Sequence, residues 1–125
     1  MELKSPSKDE VGVENAYKQI RNYIKDIPSL FYYNAICVIS DLSSNKAGTI
    51  TSGLDRFMDW KCKDGSKEES GFAEFETFYE GMFQKKRLLD ILKNFILFSG
   101  TGTGRFKVLA GYHQYFAVRK AIERA

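Results

Sequence analysis

The sequence has few of the residues that build disulfide-stabilised, zinc-binding or membrane-spanning proteins. It contains two cysteines and one histidine in 125 residues, and neither cysteine has a partner at the spacing of a zinc site. Strongly apolar runs such as residues 95–98 are far too short to cross a bilayer. The first residues also lack the apolar stretch of a signal peptide. These absences favour a protein of the reducing cytoplasm that is neither exported nor membrane-spanning.

Neither sign of charge dominates. The chain has 19 Lys and Arg residues against 16 Asp and Glu, a net charge of +3, which is too small to indicate a nucleic-acid partner by itself. Hydrophobic residues at 43% and charged residues at 28% are close to the averages of soluble globular proteins. The length allows one compact core at most, and ten Phe and seven Tyr predict that aromatic rings dominate its packing.

Apolar spacing predicts a chain of mixed α/β class. Residues 1–4 are expected to end a strand, and apolar residues at steps of three and four predict a helix from Val13 until Pro28 stops it. Short strands are predicted at 35–39, 47–51 and 57–62, followed by a polar loop at 63–70. Helices are then predicted at 72–83 and 88–98, a Gly and Thr linker at 99–104, a short strand at 105–110 and a last helix at 112–124.

Glu2 and Lys4 form an E-x-K tripeptide. Residues two apart on a strand project from the same face, which is the geometry of half of a PD-(D/E)xK nuclease site. There the carboxylate helps to hold Mg²⁺, and the lysine steadies the attacking water and the developing phosphate charge. Taken alone, the tripeptide is more often a solvated strand end.

Gln19 and Tyr23 form a Q-x-x-x-Y motif on the first predicted helix. Their i, i+4 spacing places them on one face beside the apolar stripe, where an amide and a phenol can hydrogen-bond a DNA phosphate or orient a metal-bound water. A core tyrosine with its hydroxyl at the surface is the alternative, and it is favoured without further context.

The last helix begins with Tyr112, His113, Gln114 and Tyr115. A lone histidine without a partner favours a helix-surface or capping role, whereas the Gln114 amide can both donate and accept and so can recognise an adenine edge. The Gly-Thr-Gly-Thr-Gly run at 100–104 is followed by Arg105 and lacks the Lys and Ser or Thr of a Walker A loop, so a linker is expected.

A basic run, Lys85 to Arg87 with Lys93, offers a surface that can contact DNA phosphates. A solvated helix face is the more common role for such a run. Nothing in the run itself separates these two interpretations.

Taken in order, several segments resemble the R subunit of type I restriction enzymes. The E-x-K strand with its following proline and the Q-x-x-x-Y motif are joined by four further stretches at 27–34, 39–41, 48–49 and 56–61. Residues 87–90, 94–98 and 112–118 resemble the connector and the entry to the first RecA-like motor domain. The order and spacing carry the resemblance, since none of these motifs is specific alone.

The resemblance implies an α/β chain of three parts. Residues 1–62 would be the C-terminal part of the nuclease domain, a partial PD-(D/E)xK sheet with a flanking helix. Residues 63–104 would be a helical connector, and residues 105–125 the start of the helicase domain. Glu2, Lys4, Gln19 and Tyr23 would then serve cleavage, with Glu2 as a metal ligand. Gln114 would occupy the adenine-sensing position of a helicase.

The same resemblance implies Mg²⁺ for the nuclease and ATP for the motor. The implied partners are double-stranded DNA and the methyltransferase and specificity subunits. The family's metal-binding Asp and its Walker motifs have no counterpart in these residues, and Leu42 stands where the family tends to carry Gly. We therefore expect this chain alone to be inactive. The alternatives are a non-enzymatic module that binds another subunit and a DNA-binding module without catalysis.

Overall fold

The computed structural model describes residues 1–3, 12–41, 43–66 and 73–125, with side chains from residue 75 onward in the last range. A four-stranded sheet has the order β1 (Glu2–Leu3), β2 (Cys37–Ser40), β3 (Asn45–Gly48) and β4 (Met58–Asp59). A separate hairpin pairs β5 (Ile96–Ser99) with β6 (Phe106–Leu109), and the helices are α1 (Val13–Asp26), α2 (Ala73–Met82), α3 (Lys85–Asn94) and α4 (Tyr112–Arg124). The predicted mixed α/β class is confirmed. Within the described residues, every helix is too short or too polar to pass through a bilayer.

Strand β2 is an inner strand of the sheet and pairs with neighbours on both sides. β1 runs parallel to it, with Glu2 opposite Ile39, and β3 runs antiparallel, with Cys37 opposite Gly48. A parallel pair needs a crossover connection, and the helix α1 lies in the stretch between these two strands. Residues 1–3 and 13–40 therefore form a strand, helix and parallel strand in that order.

Both faces of the sheet are covered, which is why all four residues of β2 are buried. Successive side chains of a strand point to opposite faces. Cys37 and Ile39 pack with Ala16 and Ile20 of α1 and with Phe57, whereas Val38 belongs to a second cluster on the other face. That second cluster contains Ala47, Trp60, Phe78, Met82, Ile91, Phe95, Leu109 and Tyr115.

Strand β3 begins and ends earlier than the predicted 47–51. After Gly48 the chain turns, because the Thr49 carbonyl accepts from Ser52 N–H at 3.0 Å and Thr49 N–H donates to the Ser52 hydroxyl at 3.0 Å. Gly48 also lies against the Phe57 ring, where a β-carbon would come within 2.8 Å of ring atoms. The Thr and Ile alternation suggested a strand, but the hydroxyls favour the turn.

The hub of the second cluster is Trp60, which is 4% exposed. Its indole N–H donates to the Cys62 carbonyl at 2.8 Å. The strand predicted at 57–62 is shorter in the structure and comprises Met58–Asp59. Its ring lies 5.7 to 6.3 Å from three rings of α4, and Gly81 of α2 packs so closely that a β-carbon there would meet the indole at 2.5 Å. Trp60 thus joins the sheet to both α2 and α4.

The predicted helix at 88–98 is wrong in its second half. Helix α3 runs from Lys85 to Asn94, and the apolar residues that follow form β5. A short apolar run fits either a buried helix or a strand, and pairing decides here, since Leu97 lies opposite Val108 and Ser99 opposite Phe106. Residues 99–104 are consequently a hairpin turn rather than an open linker. Gly100 adopts φ +93° there, and a β-carbon on it would lie 2.2 Å from the Gly104 carbonyl oxygen.

Hairpin pairing joins residues on both sides of the predicted boundary between 104 and 105. Lys63 and Lys120 make further contacts outside the sheet. Lys63 pairs with Glu76 at 3.2 Å and Glu80 at 2.7 Å on α2, and Lys120 donates to the Gly65 carbonyl at 2.5 Å. The division into 1–62, 63–104 and 105–125 stays a prediction.

Candidate functional site

Glu2 lies on an edge strand of the sheet and is partly exposed. Its strand is held in register by β2, so the position of its backbone is fixed by buried neighbours on that side. Lys4, the second residue of the E-x-K tripeptide, lies outside the described residues.

Helix α1 packs on both β1 and β2, and its rotation about its own axis is fixed by two contacts on one flank. The Tyr17 hydroxyl donates to the Ser52 carbonyl at 3.2 Å, and Arg21 donates to the Ile50 carbonyl at 2.8 Å. Tyr17 also meets the Phe57 ring edge-on at 5.5 Å. These partners belong to the segment between β3 and β4, so this flank faces the β3 and β4 end of the sheet.

Gln19 and Tyr23 lie on the opposite flank of α1. Each helical residue is rotated by about 100° from the last, and with Ala16 and Ile20 buried against the sheet, Gln19 and Tyr23 fall on the side away from Tyr17. Helix α1, which carries both residues, packs on β1, the strand of Glu2. Both side chains are partly buried.

Gln114 stands apart from this group, in the first turn of α4. Its side-chain oxygen accepts from the Gly111 backbone N–H at 2.9 Å, so it caps the start of its own helix, where N–H groups otherwise lack partners. The side chain is exposed and borders an apolar cleft between α4 and the hairpin. Its neighbour His113 is exposed, and its ring meets that of Tyr112 at 5.4 Å.

Of the basic run at the start of α3, Arg87 is used within the fold. It donates to the Gly81 carbonyl and its guanidinium lies 5.2 Å from the centroid of the Phe116 ring. Lys85, Lys86 and Lys93 are exposed. The surface available for an anionic partner is therefore smaller than the sequence run suggests.

Lys107 of β6 links the hairpin to the sheet, a contact that the sequence does not predict. Its carbonyl accepts from the Thr49 hydroxyl at 2.7 Å and its backbone N–H donates to the Thr51 hydroxyl at 2.8 Å. Its ammonium donates to the Asn34 carbonyl. The turn at 49–52 thus contacts both α1, through Tyr17 and Arg21, and the strand that leads into α4.

An ion pair between Asp90 and Arg119 fastens α3 to α4. Asn94 also donates to Asp90, at 2.7 Å. Desolvation alone would raise the pKa of Asp90, but the hydrogen bonds from Asn94 and Arg119 outweigh it and lower the pKa below its ordinary value. Burial and the hydrogen bond with Asp90 raise the pKa of Tyr115.

The comparisons with known proteins bear on both halves of the chain. Residues 1–56 match the family model described as type I restriction enzyme R protein N terminus. The HindI type I restriction enzyme endonuclease subunit of Haemophilus influenzae is 31% identical over 98% of this chain. Two putative type I endonuclease subunits of Methanocaldococcus jannaschii are 27% and 32% identical over 98% and 99% of it.

The chain belongs to the type I restriction enzyme R protein family. It spans only 12% to 13% of the length of these relatives. No solved structure is significantly similar to it.

Of the five predicted site residues, Glu2 lies on β1, and Gln19 and Tyr23 lie on α1, which packs on β1. Gln114 belongs to α4 and the second cluster. Leu42, the departure from the family's Gly, is also outside the described residues, while the adjacent Asp41 accepts from Ser43 and Ser44 in a tight turn.

The carboxylate of Glu2 fits one ligand of a Mg²⁺ ion, since this ion prefers carboxylate oxygens and water. Among the residues the structure describes, three or more His, Cys, Asp or Glu side chains do not come together in a group that could hold a metal.

Proposed function

We propose that this chain contributes part of the DNA-cleaving site of a type I restriction enzyme R protein, with Glu2 and Lys4 at the reaction and Gln19 and Tyr23 beside them. The observation that supports it most is that α1, which carries Gln19 and Tyr23, packs on β1, the strand that carries Glu2. Glu2 and the Q-x-x-x-Y pair thus lie on consecutive elements of a strand, helix and parallel strand unit.

In this proposal Glu2 holds a Mg²⁺ ion, which supplies positive charge to stabilise the phosphate charge that develops during hydrolysis. The Lys4 ammonium steadies the attacking water and the same developing charge. The Gln19 amide and the Tyr23 hydroxyl hydrogen-bond the DNA phosphate or the water and so orient them. The sheet β1–β4 with α1 would be the partial PD-(D/E)xK fold.

The second half of the chain would lead into the RecA-like motor. There Gln114 would contact the adenine of ATP with its amide nitrogen, because its oxygen is already engaged by Gly111 N–H at 2.9 Å. The whole protein would use ATP to translocate along double-stranded DNA, together with methyltransferase and specificity subunits. In this proposal the chain connects the part of the protein that cleaves DNA to the part that translocates along it.

The test compares cleavage with ATP hydrolysis in the assembled enzyme that contains the whole R protein. Gln19→Ala and Tyr23→Phe should each lower Mg²⁺-dependent plasmid cleavage by roughly ten- to a hundredfold, as loss of orienting groups does, and leave ATP hydrolysis unchanged. Asn22→Ala and Tyr32→Phe are matched controls, since both residues are exposed. Cleavage at the control level in both test variants would exclude a role for this motif.

A module that binds another part of the enzyme without catalysis is the second candidate. The observation that favours it is the apolar cleft beside Gln114, which is lined by the hairpin and α4. The two functions are compatible in one chain, because the cleft and Glu2 lie on different elements.

A further inference from the structure

The Tyr79 hydroxyl of α2 reaches the strand that carries Glu2. It lies 3.0 Å from the Met1 sulfur, within donating distance, and it also hydrogen-bonds Ser40 of β2. Met1 directly precedes Glu2, and Ser40 is the register partner of Leu3 in the neighbouring strand. Tyr79 therefore bridges β1 and β2 at the point where the two strands pair.

Tyr79 lies on the face of the sheet opposite to the Glu2 side chain. Paired residues of neighbouring strands point to the same face, and successive residues of one strand point to opposite faces. Glu2 is paired with Ile39, which packs with α1, so the Glu2 side chain is directed to the α1 face. Met1 and Ser40 each lie one position from this pair and are directed to the other face, where Tyr79 packs against the second cluster. Tyr79 thus contacts β1 from the side away from α1.

The ring of Tyr79 is fixed by three phenylalanine rings, which gives its hydroxyl a defined position. The ring centroids lie 4.7 Å away at Phe75, 5.2 Å at Phe78 and 5.7 Å at Phe83. Phe78 is itself 1% exposed, so this group of rings is anchored in the second cluster.

The Tyr79 hydroxyl is a hydrogen-bond donor at neutral pH. Burial raises the pKa of Tyr79, and the hydrogen bond with Ser40 only partly offsets this rise. Ser40 donates its own proton to the Asn45 side-chain oxygen of β3 at 2.5 Å, so its oxygen can accept from Tyr79. The Tyr79 proton can go to this oxygen or to the Met1 sulfur, and both acceptors lie on the pair of strands that contains Glu2.

Strand β1 has a short ladder and depends on such contacts. It comprises Glu2 and Leu3, which make two residue pairs with β2. It is an edge strand, so β2 is its only strand neighbour among the described residues. A reacting group that is misplaced by about 1 Å can lose about a hundredfold in rate. The contacts that hold β1 therefore bear on what Glu2 can do.

We propose that Tyr79 is a positioning residue for Glu2, whose hydroxyl holds β1 in place from the face opposite to α1. This inference rests on the proposed function, in which Glu2 holds Mg²⁺. Tyr79 contacts neither the metal ion nor the DNA in this proposal, because it lies on the other face of the sheet. Loss of its hydroxyl should therefore weaken the fit of the site for Mg²⁺ more than it lowers the rate of cleavage once the ion is bound.

Hydrogen exchange in the whole R protein without Mg²⁺ tests the contact itself. Tyr79→Phe keeps the ring and removes the hydroxyl. The segment that contains Glu2 and Leu3 should exchange about fivefold faster, because loss of a hydrogen bond makes local opening easier, while β6 keeps its rate. Tyr115→Phe is the matched control, since it removes a hydroxyl that hydrogen-bonds Asp90 in the helical part of the chain, and it should leave β1 unchanged. Exchange of β1 at the wild-type rate in Tyr79→Phe would overturn the proposal.

The Mg²⁺ dependence of cleavage tests the consequence for Glu2. In the assembled enzyme, Tyr79→Phe should raise the Mg²⁺ concentration for half-maximal plasmid cleavage about tenfold and keep the rate at saturating Mg²⁺ within about twofold of wild type. ATP hydrolysis in the same reactions should keep its own Mg²⁺ dependence, and Tyr115→Phe should keep both. A loss of cleavage at every Mg²⁺ concentration without a shift of the half-maximal point would indicate a merely structural role and contradict positioning. An equal shift in Tyr115→Phe would contradict it too.

Glu2→Gln, assayed beside these variants, separates this inference from the proposed function. If Glu2→Gln abolishes cleavage and Tyr79→Phe keeps the wild-type Mg²⁺ dependence, the positioning role alone is wrong. If Glu2→Gln cleaves normally, the proposed function is wrong, and the positioning role with it.

Discussion

Two regions of the molecule bury their apolar residues to different extents. In the sheet region, residues 1–62 of the described chain, strand β2 is covered on both faces and all its residues are buried. In the helical region, residues 73–125, strand β5 is covered on one face only, and Leu97 and Phe98 are 65% and 72% exposed. The inner strand β2 is therefore covered on both faces, whereas β5 leaves one face exposed.

The contrast follows from what each strand packs against. β2 lies between α1 on one side and the second cluster on the other. One face of the hairpin packs on the second cluster, and its other face borders the apolar cleft beside α4. The largest exposed apolar side chains of the sheet region lie in the first strand and in the turn after α1: Met1, Leu3, Ile27, Leu30, Tyr32 and Tyr33.

Truncating the hub between the two regions should have the largest effect on stability. Trp60→Ala removes a buried ring that touches three rings of α4 and the backbone of α2, and should lower the free energy of unfolding by about 3–5 kcal/mol. Urea titration followed by circular dichroism measures it, since the variant has no tryptophan. Trp60→Phe, which keeps an aromatic ring, should cost clearly less. Independent unfolding of the two regions in wild type would show that Trp60 does not join them.

A matched pair of truncations compares the two regions directly. Ile39→Ala, at a side chain with 0% exposure, should cost about 2–5 kcal/mol through lost burial and an unfilled cavity. Leu97→Ala removes as many carbon atoms from an exposed site and should change stability by about 0.5 kcal/mol or less. Urea midpoints of the two variants measure both losses of stability, and similar losses would mean that the outer face of the hairpin is covered within the chain.

The hydrogen bond between Thr49 and Lys107, which links the two regions, can be removed with little change in side-chain volume. Thr49→Val removes the hydroxyl that donates to the Lys107 carbonyl at 2.7 Å and should cost about 1–2 kcal/mol. Amide hydrogen exchange should speed up in β6 more than in β2. Thr101→Val makes the same change at an exposed turn position and should leave both strands unaffected. If amide exchange sped up equally in β2 and β6, the Thr49 hydrogen bond would not act specifically on the hairpin.

Asp90→Asn should have a smaller effect than Thr49→Val, confined to the helical region and dependent on pH. The folded pKa of Asp90 is lowered, so its stabilisation is present above the unfolded value of about 3.9 and is lost as pH falls through the folded pKa. At neutral pH the variant should be less stable by about 1 kcal/mol, since the pair is partly exposed, and the difference should shrink between roughly pH 5 and pH 3.

Urea titrations across this pH range measure the difference, with Asp55→Asn as a surface control. The Asp55 side chain is 80% exposed. A loss at Asp90 that does not depend on pH would mean that the ion pair contributes nothing.

Features with a local cause were predictable from the sequence. The spacing from Val13 to Pro28 predicts α1, and 112–124 predicts α4, because an amphipathic stripe and a stop signal are both local. The strand at Glu2 and the shared face of Gln19 and Tyr23 were also predicted. The roles of these residues in cleavage stay predictions.

Features that depend on distant partners were not predictable. Ile96 to Ser99 form a strand because β6 pairs with them, and no local signal separates that run from a helix end. Thr49 forms a turn because its hydroxyl has Lys107 and Ser52 within reach. The rotation of α1, which sets the flank of Gln19 and Tyr23, is fixed by Tyr17 and Arg21 contacting residues about 30 positions away.

The most direct measurement of the proposed cleaving role is Mg²⁺-dependent plasmid cleavage by the assembled enzyme carrying Glu2→Gln in the whole R protein. ATP hydrolysis is recorded in the same reactions. Glu14→Gln is the matched control, an exposed carboxylate in the first turn of α1. We predict that Glu2→Gln abolishes cleavage and keeps ATP hydrolysis, while Glu14→Gln keeps both. Normal cleavage by Glu2→Gln would contradict the account.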